Sequence, residues 1–320
     1  MGRYFLRRLV ISVPVLLFVT LIAFTLVNLA PGDPVTSMIN PATRAELGPD
    51  WVKERQAALG LDKPIVYRYG IWIKEVLRGN LGYSLIGGQS VSGQVGARIG
   101  PTMLLMASAI ILGTLIGIPL GMYSALRPNS WPDYLLTIFG FLAISTPIFF
   151  LGLAMMYIFA VHLQWLPTSG MRTLGKPKSV GDLIQHMIMP VTALAMIHIP
   201  LVMRYTRASM IEALRQDFVT TARAKGLREQ WVIVRHAFRN ALIPLITIIG
   251  LSLPEMLSGA VITETIFQWP GMGLLALRAV NARDYPLVLG VILVTAFMVL
   301  ISNLISDLCY GIADPRIRFK

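Results

Sequence analysis

The stretch LVISVPVLLFVTLIAFTLVNL, Leu9–Leu29, contains no charged side chain. As a helix, it is long enough to cross the hydrocarbon core of a bilayer, which takes about 20 residues. Arg3, Arg7 and Arg8 precede it, as basic residues precede the apolar part of a secretory signal peptide. Its apolar run is longer than that of a typical signal peptide, and no small-residue cleavage site follows. The stretch therefore predicts a membrane-spanning helix that the protein retains.

The composition of the whole chain favours a membrane protein. Of the 320 residues, 55% are hydrophobic and only 14% are charged, whereas a soluble domain carries roughly 25% charged residues. The net charge of +12 alone would suggest a nucleic-acid partner. We exclude that class because the basic residues cluster beside long apolar runs and not on a soluble face. We expect membrane lipid, and no nucleic acid, around this chain.

Six apolar segments qualify, or nearly qualify, as membrane-spanning helices. They are Leu9–Leu29, Thr102–Leu126, Tyr134–Val161, Met187–Met203, Ala241–Thr263 and Pro286–Ser306. Proline lies within or at the edge of each segment, so we expect kinks. In the second segment Gly113, Gly117 and Gly121 recur every four residues. This spacing predicts a close helix–helix contact, either within the chain or between subunits.

Basic residues in the short loops orient these spans. With the amino terminus in the cytoplasm, 15 Lys and Arg residues lie in cytoplasmic segments and five in the short external loops. Membrane proteins carry an excess of Lys and Arg in their cytoplasmic loops. We therefore expect both termini in the cytoplasm and the long segment 31–100 outside.

The external segment is too long for a connection without structure of its own. Asp50–Leu59 reads as a short helix, and a second helix opens at Pro64 and ends by Gly79. The apolar face of the second helix is rich in aromatic residues, among them Tyr69 and Trp72. We expect this face to pack on the membrane domain or to lie at the membrane interface. Docking of an external protein is the alternative.

The sequence offers no catalytic or metal-binding motif. Metal-ligand spacing is absent among the four histidines, which are His162, His186, His198 and His236. The stretch GMRTLGKP, Gly170–Pro177, nearly matches a phosphate-binding loop, but proline stands where the hydroxyl residue that holds magnesium belongs. We expect no catalytic residue, no metal and no cofactor in this chain.

Two acidic residues lie in or beside the predicted spans. Glu255 follows Pro254 about halfway along the fifth span, where an unpaired ionisable group is costly. It could line a translocation pathway, with Ser252 and Ser258 as further candidates on the same helix. It could equally be a hydrogen-bonded structural residue at the kink. Asp307, at the inner end of the last span, is expected to pair with a basic residue.

One stretch that we expect in the cytoplasm is more basic than the apolar segments around it. TTARAKGLREQWVIVRHAFRNALIP, Thr220–Pro244, carries five basic residues and a single acid, Glu229. Its pattern predicts two short amphipathic helices that join at Gly226 and form a compact knob. Glycine takes a positive φ at such a break without the steric penalty of a side chain. The knob suits docking into an acidic groove on a cytoplasmic protein. The alternative is a helix that lies on anionic lipid.

Seven motifs follow one another from end to end of the chain. They are PGDP (Pro31–Pro34), LGLDKP (Leu59–Pro64), TRASMIEALRQDFVTTARAKGL (Thr206–Leu227), RHAFRNALIP (Arg235–Pro244), ITETIFQWPGMG (Ile262–Gly273), RDYPLV (Arg283–Val288) and DPRIR (Asp314–Arg318). With them the chain resembles the B-type inner-membrane permeases of dipeptide and oligopeptide ABC importers. One departure from the general importer pattern is Thr220-Thr221-Ala222, where other importers have Glu-Ala-Ala.

The resemblance implies an all-α membrane protein with the architecture of a type I ABC importer permease, in a bacterial inner membrane. Its domains would be 1–30 with the first span, the external helical segment 31–100, and a five-helix core 101–320 that includes a coupling loop at 204–240. Partners would be a second homologous permease, two cytoplasmic ATPase subunits that bind ATP, and an external binding protein.

The resemblance also implies the residues of the ATPase-coupling loop. These are Phe218, Thr221, Ala222, Arg223, Ala224, Lys225, Gly226, Arg235, His236 and Asn240. The implied substrate is a peptide, and nickel chelates, glutathione or oligosaccharides are alternatives. An ion-coupled transporter fits less well, because such bundles carry several buried ionisable groups and this chain offers only Glu255 deep in a span.

Overall fold

The computed structural model describes residues 2–29, 50, 51, 53, 54, 62–177 and 179–313. At 2–7, 9, 243, 253, 255–259 and 308–313 it describes the backbone alone. The helices named below are, in chain order, α1 (Gly2–Leu29), α2 (Ile65–Leu77), α3 (Val91–Leu126), α4 (Trp131–Ser145), α5 (Ile148–Met155), α6 (Val180–Leu214), α7 (Asp217–Ala224), α8 (Glu229–Trp231), α9 (Arg239–Ile266), α10 (Met272–Asn281) and α11 (Tyr285–Ala313). Seven-residue π-helical segments follow α5 and α8. The described residues contain no β-strand, only an isolated bridge between Tyr83 and Ser90.

Within the described residues, up to six stretches are long and apolar enough to cross a membrane. Four are long, apolar helices: Val10–Leu29, Val91–Leu126, Val180–Leu214 and Tyr285–Asp307. The other two are bent pairs, Trp131–Ser145 with Ile148–His162 and Glu229–Leu242 with Pro244–Ser252. If each bent pair counts as one span, their number agrees with the six predicted from sequence. The fifth predicted span, Ala241–Thr263, lies within α9, whereas the bent pair begins earlier, at Glu229. The predicted all-α membrane fold is therefore confirmed.

The third span is broken more sharply than a kink. Its two halves meet at an angle of 99°, and Thr146 between them has an extended backbone, with φ −83° and ψ 118°. A residue that precedes proline is driven out of the helical region by the proline ring, and here Pro147 follows. By contrast, Pro190 and Pro200 both remain inside the helix α6. A proline in this sequence thus predicts a possible kink but not its size.

Contacts along the backbone divide the chain into two compact units. We call residues 1–8, 102–270 and 299–320 unit A, and residues 9–101 and 271–298 unit B. This division does not test the three domains predicted along the sequence, which stay a prediction. Each unit is described by itself below.

Within unit A, the three glycines of α3 pack directly on α6. A Cβ atom added to Gly113 would lie 2.7 Å from the His198 ring, and one added to Gly121 would lie 2.5 Å from the Met203 carbonyl oxygen. Such distances are too short for any side chain, so the two helix backbones approach as closely as glycine allows. The contact predicted from the glycine spacing is confirmed, and it lies within the chain.

The helices α1 and α11 are joined by an ion pair in unit A. The guanidinium of Arg8 lies 3.3 Å from the carboxylate of Asp307. This confirms the pairing predicted for Asp307.

Within unit B, α2 packs its aromatic face on the first span. The ring of Phe24 lies 5.6 Å from the ring of Tyr69 and 5.8 Å from that of Trp72, centroid to centroid. The hydroxyls of Thr20 and Tyr69 are 3.0 Å apart, within hydrogen-bonding distance. The helix predicted to open at Pro64 and its packing on a membrane-spanning segment are thus confirmed. That it lies outside the membrane stays a prediction. Most of the first predicted helix, Asp50–Leu59, lies outside the described residues.

A buried carboxylate in unit B links a loop to the start of the last helix. Asp284 accepts hydrogen bonds from the Ser84 hydroxyl and, at 3.1 Å, from the backbone N–H of Leu85. It also accepts from the N–H of Leu287 in the first turn of α11, at 3.4 Å, and so caps that helix. The loop that contains Ser84 and Leu85 is thereby fixed to the start of α11.

Candidate functional site

The knob predicted around Gly226 is present in unit A and is built on a helix stop. α7 ends with hydrogen bonds from the N–H of Gly226 to the carbonyl of Arg223, at 2.9 Å, and from the N–H of Leu227 to the carbonyl of Ala222, at 3.4 Å. This is the Schellman pattern, which needs a left-handed residue after the helix. Gly226 supplies it with φ +74°. The predicted arrangement of two short helices joined by a left-handed glycine is therefore confirmed.

An ion pair closes the same turn. The guanidinium of Arg223 donates two hydrogen bonds to the carboxylate of Glu229, at 2.6 and 3.1 Å. The hydrogen bond to Glu229 raises the pKa of the Arg223 guanidinium further above its ordinary value, so this side chain stays charged. Both side chains are about half exposed. From the sequence, Arg223 was expected to meet a partner protein, whereas in the structure it pairs with Glu229 within the knob.

The inner face of the knob is apolar and packs on the ends of two spans. Val219 and Ala222 of α7, with Val232 and Ala237 after α8, lie in one buried cluster with α3 and α6 residues. The α3 and α6 residues of that cluster are Met122, Ala125, Met210, Ile211, Ala213 and Leu214. Since only 4% of Ala222 is exposed, this predicted coupling residue faces the core and not an outside partner.

The outer face of the knob combines exposed apolar side chains with cations. Phe218, Leu227, Trp231 and Val234 are all exposed. The guanidinium of Arg235 lies over the Trp231 ring, 5.7 Å from its centre, an arrangement in which the ring face attracts the cation. Exposed aliphatic and aromatic groups with basic neighbours form a surface that a partner of opposite charge can cover.

The remaining predicted coupling residues spread around this surface. Thr221, Ala224, Lys225, Gly226 and Asn240 are exposed, and His236 is partly buried. Two of the polar side chains turn back to the chain. The Thr221 hydroxyl donates to the Asp217 carbonyl at 2.9 Å, and the Asn240 amide donates to the His236 carbonyl at 2.7 Å.

A charged network between α3, α4 and α6 was not predicted from the sequence. Asp133, in the first turn of α4, is 3% exposed. It accepts two hydrogen bonds from the Arg207 guanidinium, at 2.9 and 2.7 Å, one from the Asn129 N–H at 3.0 Å, and one from the Ser124 hydroxyl. The network ties the end of α3 and the start of α4 to α6. Its one sequence signal is an acid in the first turn of a helix, where the helix dipole favours it.

The predicted pathway residues are placed only in part. Ser252 is buried, and its hydroxyl lies 2.9 and 3.0 Å from the carbonyl oxygens of Ile248 and Ile249 in its own helix. The side chains of Glu255 and Ser258 lie outside the described residues. The pathway assignment therefore stays a prediction.

A second buried acid near the other end of the same helix was also missed. Glu264 has no exposed surface, and its carboxylate accepts a hydrogen bond from the Thr102 hydroxyl at 2.6 Å. It follows the predicted fifth span by one residue, so hydropathy alone placed it in a loop. Its carbonyl also accepts from the N–H of the buried Trp269, at 2.9 Å.

Comparison with known proteins identifies the class to which this fold and knob belong. The sequence model of the inner membrane component of binding-protein-dependent transport systems matches residues 117–319. The model of the N-terminal part of the same components matches residues 1–103. The chain belongs to this family of permeases. Membership implies ATPase and substrate-binding partners, and a multi-pass protein of the inner membrane.

Three relatives match along their whole length. A protein of Brucella ovis, provisionally named as a peptide permease, is 44% identical over 99% of both chains. The oligopeptide transport system permease protein AppB of Bacillus subtilis is 38% identical over all of both chains. The glutathione transport system permease protein GsiC of Salmonella typhimurium is 36% identical, again over all of both chains. This chain is thus similar to permeases named for peptides and for glutathione.

Proposed function

We propose that this chain is the permease subunit of an ATP-driven importer of peptides. The support for the substrate comes from the relatives that are named for peptides and oligopeptides. Glutathione, which is itself a tripeptide, is the alternative that the relative named for glutathione transport favours. Nickel chelates and oligosaccharides are further alternatives, which rest on the sequence resemblance.

The proposed machine contains two permeases, of which this chain is one. Two ATPase subunits bind ATP beneath them, and an external binding protein delivers the substrate. This chain contributes half of the pathway and one coupling surface, and catalyses no reaction itself. Both of its termini lie in the cytoplasm, as the distribution of basic residues favours.

The observation that carries the coupling role is the two-faced knob. Its inner face is buried against α3 and α6, while Phe218, Trp231 and Arg235 lie on its outer face. A force on the outer face therefore reaches two spans through packed side chains. A helix that only rests on anionic lipid needs a basic apolar face but no such buried inner face.

Reconstitution in liposomes tests the function. The chain, its permease partner, both ATPases and the binding protein should accumulate a labelled oligopeptide only with ATP and only with the binding protein. Unlabelled peptide should compete better than glutathione or a nickel chelate. Transport by this chain alone, driven by an ion gradient without ATP, would contradict the proposal.

Sidedness is tested with single cysteines in a variant in which Cys309 is replaced by serine. A cysteine at Lys74, which is exposed on α2, should react with an impermeant thiol reagent added to intact cells. A cysteine at Lys225, which is exposed on the knob, should react only after the cells are opened. The reverse pattern would invert the orientation and remove the knob from the ATPases.

A further inference from the structure

Unit B contains a cavity that neither the coupling surface nor the predicted pathway uses. Its volume is about 350 Å³, at the lower end of the range of ligand pockets. Most of its wall is apolar and includes Phe24 of α1, Trp72 of α2, and Leu81 and Leu289. A polar solute gains little from such a wall, whereas an alkyl chain gains about 0.8 kcal/mol per buried CH₂ group.

Two cations line the same cavity. Arg68 is partly buried, and its described contacts are a hydrogen bond to the Asn28 amide oxygen at 2.5 Å and the face of the Phe24 ring, 6.0 Å from its centre. Burial lowers the pKa of the Arg68 guanidinium, and the charge of Asp62 partly offsets this. Arginine nevertheless remains protonated in proteins. A partly desolvated guanidinium with a neutral hydrogen-bond partner favours an anionic ligand.

The second cation is Lys63. Its ammonium group lies over the Tyr67 ring, 5.1 Å from its centre, and the side chain is exposed. The acid in the wall, Glu75, is already paired. It accepts hydrogen bonds from the Arg78 guanidinium at 3.2 Å and from the Asn80 amide at 3.0 Å. Among the described residues, Lys63, Arg68 and Arg78 outnumber the acids Asp62 and Glu75 by one charge at this side of the cavity. The remainder of the wall is mostly apolar.

The position of the cavity decides between kinds of anion. Phe24 and Asn28 lie in the last two turns of the first span, and Tyr285 and Pro286 begin the last span. The cavity thus lies near the ends of two candidate membrane-spanning helices of unit B, which is the depth expected for lipid headgroups. The apolar wall suits an alkyl chain and the cations suit an anionic group. The membrane itself supplies a ligand with both groups at this depth, which is an anionic phospholipid.

We propose that this cavity binds one anionic phospholipid, with its phosphate at Arg68 and Lys63 and the start of an acyl chain along Phe24, Trp72 and Leu289. The lipid would hold α2 against the bilayer. With the orientation proposed above, it comes from the outer leaflet of the inner membrane.

Native mass spectrometry of the full chain tests this site. The chain is purified in detergent, freed of lipid, and offered an equal mixture of phosphatidylglycerol and phosphatidylcholine in mixed micelles. Wild type should retain phosphatidylglycerol preferentially. Arg68→Gln should reduce its apparent affinity about tenfold, the effect of losing one charge-assisted hydrogen bond. Lys63→Gln should reduce it about threefold, as expected for an exposed cation.

Lys74→Gln is the matched control. Lys74 also lies on α2 and is exposed, but it is not part of the cavity wall, so its loss removes the same charge without touching the site. This variant should bind phosphatidylglycerol like wild type. Equal loss in Lys74→Gln and Arg68→Gln would show a general effect of surface charge and overturn the proposal.

Three further results would also overturn it. One is equal retention of the two lipids by wild type. Another is phosphatidylglycerol binding that is unchanged in both single variants, Lys63→Gln and Arg68→Gln. If Arg68→Gln fails to fold, unchanged binding in Lys63→Gln is enough to overturn the proposal. The third is displacement of the lipid by inorganic phosphate at millimolar concentration, which would make the cavity a site for soluble phosphate.

Discussion

Arg223 and Glu229 face each other across the turn at Gly226 and share two hydrogen bonds of 2.6 and 3.1 Å. The pair joins the last turn of α7 to the first residue of α8. A cation that sequence reasoning assigned to an outside partner thus fixes the shape of the surface that carries it. The two roles make different predictions when the charges are exchanged.

Arg223→Glu should lower co-purification of the ATPase subunits, because it places two carboxylates across the turn. The stability change should be small, within about 1 kcal/mol, since the pair is exposed. The double variant Arg223→Glu with Glu229→Arg should recover co-purification to near the wild-type level, because it restores the pair in reverse. If the double variant binds as poorly as the single one, Arg223 contacts the ATPase directly.

Gly226→Val should impair coupling through the backbone alone. A Cβ at this position meets nothing within 4 Å, so the cost comes from the left-handed φ of +74° and amounts to about 1–2 kcal/mol. We expect weak ATPase association or hydrolysis without transport, measured at equal membrane levels. Gly226→Asn should be milder, because asparagine tolerates this conformation.

Gly175→Val is a matched control for Gly226→Val. Gly175 has a similar φ of +77° and an equally open environment, but it lies in a loop remote from the knob in sequence. It should leave ATPase association unchanged. A coupling defect of the same size in Gly175→Val would mean that strain anywhere in the chain produces the phenotype.

Asp133→Ala should destabilise the protein by about 3 kcal/mol, because Arg207 then loses its carboxylate beside the core. Arg207→Lys keeps the charge but loses one of the two hydrogen bonds, and should cost less. The measurement is thermal unfolding of the purified complex, with Arg204→Gln as the control, since Arg204 is exposed. Equal stability of Asp133→Ala and wild type would show that the network contributes nothing.

Gly121→Ala should lower the unfolding temperature. The added Cβ would lie 2.5 Å from the Met203 carbonyl oxygen and 2.6 Å from the Thr206 Cβ, so α3 and α6 must separate. Gly96→Ala, on the same helix α3, meets nothing within 4 Å. It should raise stability slightly, by up to about 1 kcal/mol, because alanine favours the helix. If both variants behave alike, the close approach of the two helices does not limit stability.

The sequence predicted features that depend on neighbours along the chain. The spans follow from continuous apolar runs, and the left-handed Gly226 follows from a lone glycine between two amphipathic segments. The glycines of α3 predicted a close contact, but whether it lay within the chain required knowledge of the helix they face.

Features that depend on distant residues were not predicted. Asp133 and Arg207 are 74 positions apart, and Thr102 and Glu264 are 162 apart, so no local pattern pairs them. Both acids stand one residue outside a predicted span, where hydropathy assigns them to loops. The size of the break at Pro147 depends on what the two half-helices pack against, which a proline alone does not encode.

The glycine stripe of α3 has a mechanical consequence for the knob. Because Gly113, Gly117 and Gly121 have no side chains, the backbone of α3 lies in direct contact with α6 at these three positions. Met122 and Met210, near the ends of those helices, both pack in the cluster that holds the inner face of the knob. If the knob moves, we expect the closely packed helices α3 and α6 to move with it as a pair. A larger residue in the glycine stripe should separate the two helices and weaken this coupling, even where the protein still assembles.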